Sequence, residues 1–574
     1  MSGGDEMRAD VEAKAPIIDL LYPSEEKRKA MKRRRIDIEQ LPTGFVNDLM
    51  LEKLADIMCR EYQYKMLELF KELSDDEEVI AYRQDILDDL IGNPDVAAGI
   101  NKLIKIMLTN DKTSLYDLET PDSFTSLDAA LSGFEAYTEC VELMHKLWLS
   151  KKDAVHSVGL KRMFAFFENN YSDKDYVKLR EEVTELRNAV NGKIRCVTVA
   201  INLNENLVPI EAGVIGWSDK VCEPKPTVLD RIASFGAKSE NPKALHDLRT
   251  KYTGENEPNS QNGVLNMTDK LLFEELDFAV KKYVKAIDSI LKKYRVIGFE
   301  DIHIIEYQLD FYMSAVRMIE NARSKGLQMC RPVILPASER KAEIKGLFDP
   351  IYFSEANIYN LRNKDKKSVI TNDISLDDTA GFYILTGANN GGKTTFVRSV
   401  GICQVLAQAG LYVPAESCTI SLADCIYTHF PKEEQVGIDT SRFTTEIKEF
   451  KAISDTITDR SLLLMNESIQ STTPQECIDI AGQLVRIFCV IGVRGLFATH
   501  LTDMAKKAVG YNDDPLVRTK TESLIASVNE ENGERLYKIV KGYPSETGYA
   551  GAVFEKFGLD IRAIEKRAAN GRTS

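Results

Sequence analysis

Gly387-Ala388-Asn389-Asn390-Gly391-Gly392-Lys393-Thr394-Thr395 is the stretch on which the fold of this chain turns. Ahead of it stands the apolar run Phe382-Tyr383-Ile384-Leu385, which reads as a buried strand. Behind it Phe396, Val397, Val400, Val405 and Leu406 recur with helical spacing. Strand, glycine-rich turn, Lys-Thr and helix make the G-x-x-x-x-G-K-[ST] arrangement in the setting that gives the motif its meaning. Residues without bulky side chains let successive backbone N–H groups turn inward as an anion nest, and the helix N-terminus adds partial positive charge. Gly387, Asn389, Asn390, Gly391, Gly392, Lys393, Thr394 and Thr395 are therefore the candidate ligands of ATP, with Lys393 on the β/γ-phosphates and the Thr394 hydroxyl on Mg²⁺. A glycine-rich turn without a ligand is the alternative.

Two later segments follow in the order a nucleotide-hydrolysing module requires. Ser461-Leu462-Leu463-Leu464-Met465-Asn466-Glu467 is an apolar strand ending in polar residues. That is the Walker B pattern, in which an acidic residue orients Mg²⁺ and its water. Asn466 is the metal candidate, and Glu467 stands where a general base would activate the attacking water. Gly495-Leu496-Phe497-Ala498-Thr499-His500 is a second short buried strand ending in a histidine. At the C-terminal end of a parallel strand His500 can sense a γ-phosphate by hydrogen bond; a purely structural histidine is the alternative.

Composition narrows the setting. The 574 residues have room for about three or four domains, and 44% hydrophobic with 28% charged residues match an ordinary globular protein. No apolar run approaches the ~20 residues of a spanning helix. Met1-Ser2-Gly3-Gly4-Asp5-Glu6 lacks a basic n-region and an apolar h-region, so no secretory signal is expected. The ten cysteines form no C-x-x-C pairs, which suggests reduced thiols and a cytoplasmic protein, nucleoid-associated if it binds DNA. A net charge of −14 excludes a surface that is basic throughout, so nucleic-acid contact falls to local patches. Lys27-Arg28-Lys29-Ala30-Met31-Lys32-Arg33-Arg34-Arg35 is one such run, readable as a solvated helix face or as a phosphate grip.

Along the chain, residues 1–40 read as a tail and residues 45–190 as helical, with Leu51, Leu54 and Met58 on one face and a long, partly exposed helix from 173 to 190. At Val197, Val199, Ile201 and Leu203 the period changes to two. A second extended run, Leu207 to Val214, then completes a β-hairpin. Residues 222–268, with four prolines and several Asn and Gly, read as a mobile connection. Helical spacing returns from Leu276 to about 326, and Pro332-Val333-Ile334-Leu335-Pro336 marks entry to the α/β module.

With these residues assembled, the chain resembles the MutS family of DNA mismatch-repair ATPases. The nine residues from Gly387 stand where that family usually has G-P-N-M-G-G-K-S-T. Tyr412-Val413-Pro414-Ala415 matches its Y-V-P-A, Phe497-Ala498-Thr499-His500 is identical to its F-A-T-H, and Ser441-Arg442-Phe443 with Glu446 resembles its S-T-F signature. Asn372-Asp373-Ile374 resembles the N-D segment before the P-loop strand, and Tyr82 to Leu87 the start of the helical core. The resemblance implies a multidomain chain: a tail (1–40), a mainly α-helical core and lever (41–330), and an α/β P-loop NTPase (ABC-like) domain (331–574). Within the core it expects a small β insertion at about 194–220 and a linker at about 222–268. It further implies a homodimer in which Ser441 reaches the partner's γ-phosphate, and DNA as the partner macromolecule.

Three departures shape the functional expectation. Only a short tail stands where the family has a mismatch-reading domain with its Phe-x-Glu wedge, and Phe166-Phe167-Glu168 and Phe273-Glu274-Glu275 fall in helical runs. The β insertion is smaller than a DNA clamp. The acidic pair Asp-Glu has become Asn466-Glu467, and Ser468-Ile469-Gln470-Ser471-Thr472-Thr473 replaces G-R-G-T-S-T. The expectation is an ATP-binding and hydrolysing protein that acts on DNA structure in repair or recombination without reading mismatched bases, with slow turnover. The competing expectation is a nucleotide-gated dimeric scaffold with vestigial hydrolysis. An ABC- or SMC-type ATPase is disfavoured by the F-A-T-H run and the Ser-x-Phe signature.

Overall fold

The computed structural model describes residues 18–59, 61–110, 124–193, 196–206, 209–218, 220, 299–363, 367–387, 391–431, 442–471, 473–529 and 535–543. The linker expected at 222–268, the helical run from Leu276 to 298 and Phe273 lie outside these residues. The chain divides into two compact units, one built from residues 98–152 and 162–304 with the first sixteen residues, the other from 17–97, 153–161 and 305–574.

In the first unit the helices Phe124–Lys151, Val158–Ser172 and Lys174–Lys193 supply an aromatic core. Trp148 stacks on Phe164 at 5.1 Å, and Tyr137 meets Tyr176 edge-on at 6.1 Å. Arg187 grips both carboxylate oxygens of Glu135 at 2.7 Å, a two-pronged pairing that fixes the long helix from 174 against the one from 124. The expected hairpin is present: β1 (Cys196–Leu203) pairs antiparallel with β2 (Pro209–Ser218). Phe167 is fully buried within its helix, so it is core packing and not a wedge.

The second unit carries two sheets. One contains β3 (Val333–Leu335), β4 (Ala342–Leu347), β5 (Asn372–Leu376) and β7 (Ser417–Ser421) in the order β3-β7-β4-β5. The other contains β6 (Phe382–Thr386), β8 (Ile426–His429), β9 (Leu462–Asn466), β10 (Arg494–Ala498), β11 (Thr521–Val528) and β12 (Arg535–Lys541) in the order β12-β11-β6-β10-β9-β8. Strands β8, β9, β10, β6 and β11 are parallel, and β12 closes one edge antiparallel. Every residue of β6, β9 and β10 is buried. That is why they read as continuous apolar runs: a parallel strand covered on both faces has no solvent side on which to place polar residues. Their C-terminal ends share one rim of the sheet, where ligands of open α/β sheets bind.

The tail expected up to residue 40 is folded from Ile18 onward, which corrects that reading. Leu20 and Leu21 are buried, and the Leu20 N–H donates to Gln308 Oε1 at 2.7 Å. The basic run forms a helix, Glu25–Glu39, capped by Ser24. Lys27 pairs with Asp76, Arg28 with Glu25, Arg34 with Asp75 and Arg35 with Glu68, so most of the run is tied to acids, chiefly on neighbouring elements. The sequence concealed this because a charge-rich helix with two buried residues, Met31 and Ile38, has almost no apolar stripe to read.

Among the described residues no helix is long and apolar enough to cross a membrane.

Candidate nucleotide-binding site

The loop after β6 is shaped by two glycines with left-handed φ, Gly387 at +129° and Gly392 at +90°. A Cβ on Gly387 would stand 3.0 Å from Ala526 Cβ, so both backbone conformation and space select glycine there. Gly392 is the N-cap of the helix Lys393–Gln408 and offers no side-chain hydrogen bond to the helix's first N–H groups. Backbone N–H groups at a helix start of this kind are the donors that anions bind.

Lys393 is buried at the start of that helix, and its Nζ donates to the Gly387 carbonyl at 2.8 Å. Burial pushes its ammonium below the ordinary lysine value, and the charge of Glu467 pulls it part of the way back. Thr394 Oγ1 donates to Asn466 Oδ1 at 3.1 Å, which brings together the two residues expected to hold Mg²⁺. Thr395 is half-buried one position further on. Asn389, Asn390 and Ser441 lie outside the described residues.

Glu467 follows β9 with φ +48°, and Ile469 has φ +58°, unfavourable backbone for residues with side chains. The Glu467 N–H is anchored to the Ala498 carbonyl at 2.7 Å, tying the loop after β9 to the end of β10. His500, just past β10, is exposed, and its Nδ1 stands 3.3 Å from Gln470 Nε2. Glu446 is buried in the first turns of the helix Arg442–Thr456. Asp503 is exposed in the first turn of Thr502–Val509. Among the described residues no group of three or more His, Cys, Asp or Glu converges to hold a metal. Two neutral oxygens, from Thr394 and Asn466, suit Mg²⁺ only where phosphate and water complete an octahedral oxygen shell.

Some site residues gave no sequence signal. Tyr537, on β12 with φ +55°, has its ring beside Gly392, 3.4 Å from where a Cβ would stand. It is placed by Asn372, whose side-chain amide donates to the Tyr537 carbonyl at 3.1 Å and accepts from the Ile539 N–H at 2.8 Å. In the sequence Gln470 marks only a departure from a glycine motif, and its contact with His500 depends on strand order that no local pattern encodes.

Residues 383–568 match the family model of MutS domain V, and residues 75–324 match that of the MutS2 N-terminal domain. Both models describe MutS-type proteins. The DNA mismatch repair protein MutS of Thermotoga petrophila is 29% identical over 229 residues, 40% of this chain and 27% of that protein. That of Thermosipho melanesiensis is 30% identical over 200 residues, 34% and 23% of the two chains. The DNA mismatch repair protein MSH3 of Candida glabrata is 24% identical over 418 residues, 71% of this chain and 37% of that one. The match thus spans between about a quarter and two-fifths of these relatives' length. MutS domain V begins at the P-loop strand, the same point from which the site geometry is built.

Proposed function

We propose that this chain binds and hydrolyses ATP as a homodimer and acts on DNA structure, in repair or recombination, without reading mismatched bases. The observation that carries the reading is the convergence of Lys393, Thr394, Asn466 and Glu467 at the ends of β6 and β9. Lys393 and the N–H groups at the start of its helix take the phosphates. Mg²⁺, when bound at Thr394 and Asn466, supplies positive charge to the phosphate oxygens. Glu467 orients the attacking water and takes its proton, and His500 with Gln470 stands at the next strand end as a phosphate sensor. By family resemblance Ser441 of each protomer completes the partner's site. The Phe167 ring is buried in its helix and cannot enter a duplex.

A second reading is favoured by one feature. Asn466 brings a carbonyl dipole where the family has a carboxylate charge. The same geometry thus serves a nucleotide-gated scaffold in which ATP sets the shape of the dimer and hydrolysis is vestigial. Measured turnover separates the two, since tight ATP binding with kcat near zero selects the scaffold.

The reading is tested with Lys393→Ala in the full chain. Calorimetry should register loss of ATP binding, with far-UV circular dichroism unchanged; ATP affinity and turnover equal to wild type would overturn it. Duplex, mispaired, branched and single-stranded DNA, titrated with and without ATP at several salt concentrations, test the second half. Binding should weaken steeply with salt. A tenfold preference for a mispair, roughly 1.4 kcal/mol, would refute the claim that bases are not read.

A further inference from the structure

The loop that carries Glu467 contains a buried hydrogen-bonded chain that the site as described does not use. His429 ends β8, next to β9 and in register with Met465. Its Nδ1 is 2.7 Å from Ser468 Oγ, and its Nε2 is 3.1 Å from Glu449 Oε2. The imidazole lies on the Phe450 ring at 4.3 Å, and His429 and Ser468 are both buried. Ser468 Oγ is also 3.0 Å from the carbonyl of His429 itself. The one proton of the Ser468 hydroxyl goes to the His429 carbonyl, so its oxygen is left as the acceptor facing Nδ1, while Nε2 faces the Glu449 carboxylate. A serine–histidine–glutamate series invites a reading as a hydrolytic triad, but a nucleophile must be reached by its substrate, and Ser468 is 1% exposed.

Its position suggests another role. Ser468 lies between Glu467 and Ile469, the two residues with left-handed backbone. Such a conformation persists only where the surroundings hold it. Two side-chain and backbone ties do so: the Glu467 N–H on the Ala498 carbonyl, and the Ser468 hydroxyl on His429. Glu449 in turn belongs to the helix Arg442–Thr456, which starts one residue after Ser441.

We propose that His429 is a positioning residue, relaying the placement of the helix Arg442–Thr456, through Glu449, to the Ser468 loop and so to the carboxylate of Glu467. The proposal rests on the ATPase reading for its consequence in turnover, but the mechanical link between helix and loop stands apart from it. When the helix is held in place, His429 is held by Glu449 and the hydroxyl of Ser468 keeps Glu467 aimed; when the helix shifts, the imidazole loses its anchor and the loop relaxes.

Two measurements decide this. The first is kcat at saturating ATP for Glu449→Ala, Ser468→Ala and the double variant. Each single change should lower kcat about tenfold with ATP affinity within twofold of wild type, and the double should be no worse than either single. Glu449→Gln, which keeps an acceptor for Nε2, should recover most of the loss. Independent roles would instead multiply to about a hundredfold and overturn the relay. The second is amide hydrogen exchange without nucleotide. Glu449→Ala should speed exchange at residues 467–470 at least fivefold and leave 382–386 unchanged. A rise confined to 442–456 would overturn the link even if the wild-type protein proved to have no turnover, an outcome that would by itself refute only the ATPase reading.

Discussion

The helix Lys393–Gln408 has a buried cation at each end, and the two are held in opposite ways. At the C-terminal end Arg83, fully buried, donates to the Ala409 carbonyl at 3.3 Å, the Leu21 carbonyl at 2.9 Å and Glu72 Oε2 at 3.0 Å. Burial opposes its charge, but its surroundings, the Glu72 carboxylate foremost, hold the guanidinium above the ordinary arginine value. A cation at a helix C-terminus also meets the favourable end of the dipole. Gln408 adds donations to the Leu73 and Ser74 carbonyls at 3.0 Å each. At the N-terminal end Lys393 meets the unfavourable end of the dipole, and burial depresses its pKa. One end is thus a finished polar network. At the other the charge stands against both burial and dipole, as it would in a residue that serves a ligand.

The sharpest way to break this contrast is to remove each cation in turn. Arg83→Met strands the Glu72 carboxylate in the interior and should cost about 3–5 kcal/mol in urea unfolding. Lys393→Met gives up the bond to the Gly387 carbonyl but also relieves burial and dipole penalties, so it should cost clearly less than Arg83→Met. Equal losses at the two ends would mean that Lys393 is as structural as Arg83.

Restoring the charge at position 466 is expected to have a smaller effect. A unit pair ~4 Å apart interacts by about 4 kcal/mol at an effective dielectric of 20, and water and phosphate ligands recover much of that. Asn466→Asp should lower the Mg²⁺ requirement for turnover about tenfold, or about 1.4 kcal/mol, and raise kcat. Slower turnover with Asp would mark Asn466 as an adapted part of the site.

The pH dependence of ATP affinity should give the smallest signal. Free Lys393 has a lowered pKa, and bound phosphate favours its charged form, so binding takes up a proton above the free-state pKa. Affinity should be flat below that pKa and fall as pH rises through it, by at most tenfold per pH unit. The decline should begin at lower pH than an ordinary lysine would give. Lys393→Arg should keep affinity level over the same range, whatever its absolute value.

The N-terminal end of this helix was legible in the sequence and the C-terminal end was not. Gly387 to Thr395 and the apolar runs of β6, β9 and β10 declare themselves because parallel strands buried on both faces and a glycine-rich turn each impose a local pattern. Arg83 carried no such mark. Its partners Leu21, Glu72 and Ala409 come from three separate stretches, and only tertiary structure brings them together. The folding of residues 18–40 onto the second unit was missed for the same reason, as was the His429–Ser468–Glu449 chain. The family resemblance flagged Asn372 but not its partner Tyr537, since a side chain that clamps backbone places no demand on which side chain stands opposite.

That clamp bears on how the molecule behaves in a crowded solution. Among the described residues β12 is the edge of the larger sheet, and an edge strand offers a row of amides on which another chain can build. The side-chain amide of Asn372 occupies the outward Tyr537 carbonyl and Ile539 N–H much as a neighbouring strand would, while the Lys538 ammonium reaches the Thr371 carbonyl. One asparagine thereby occupies, on that edge, two of the backbone groups that an added strand would need.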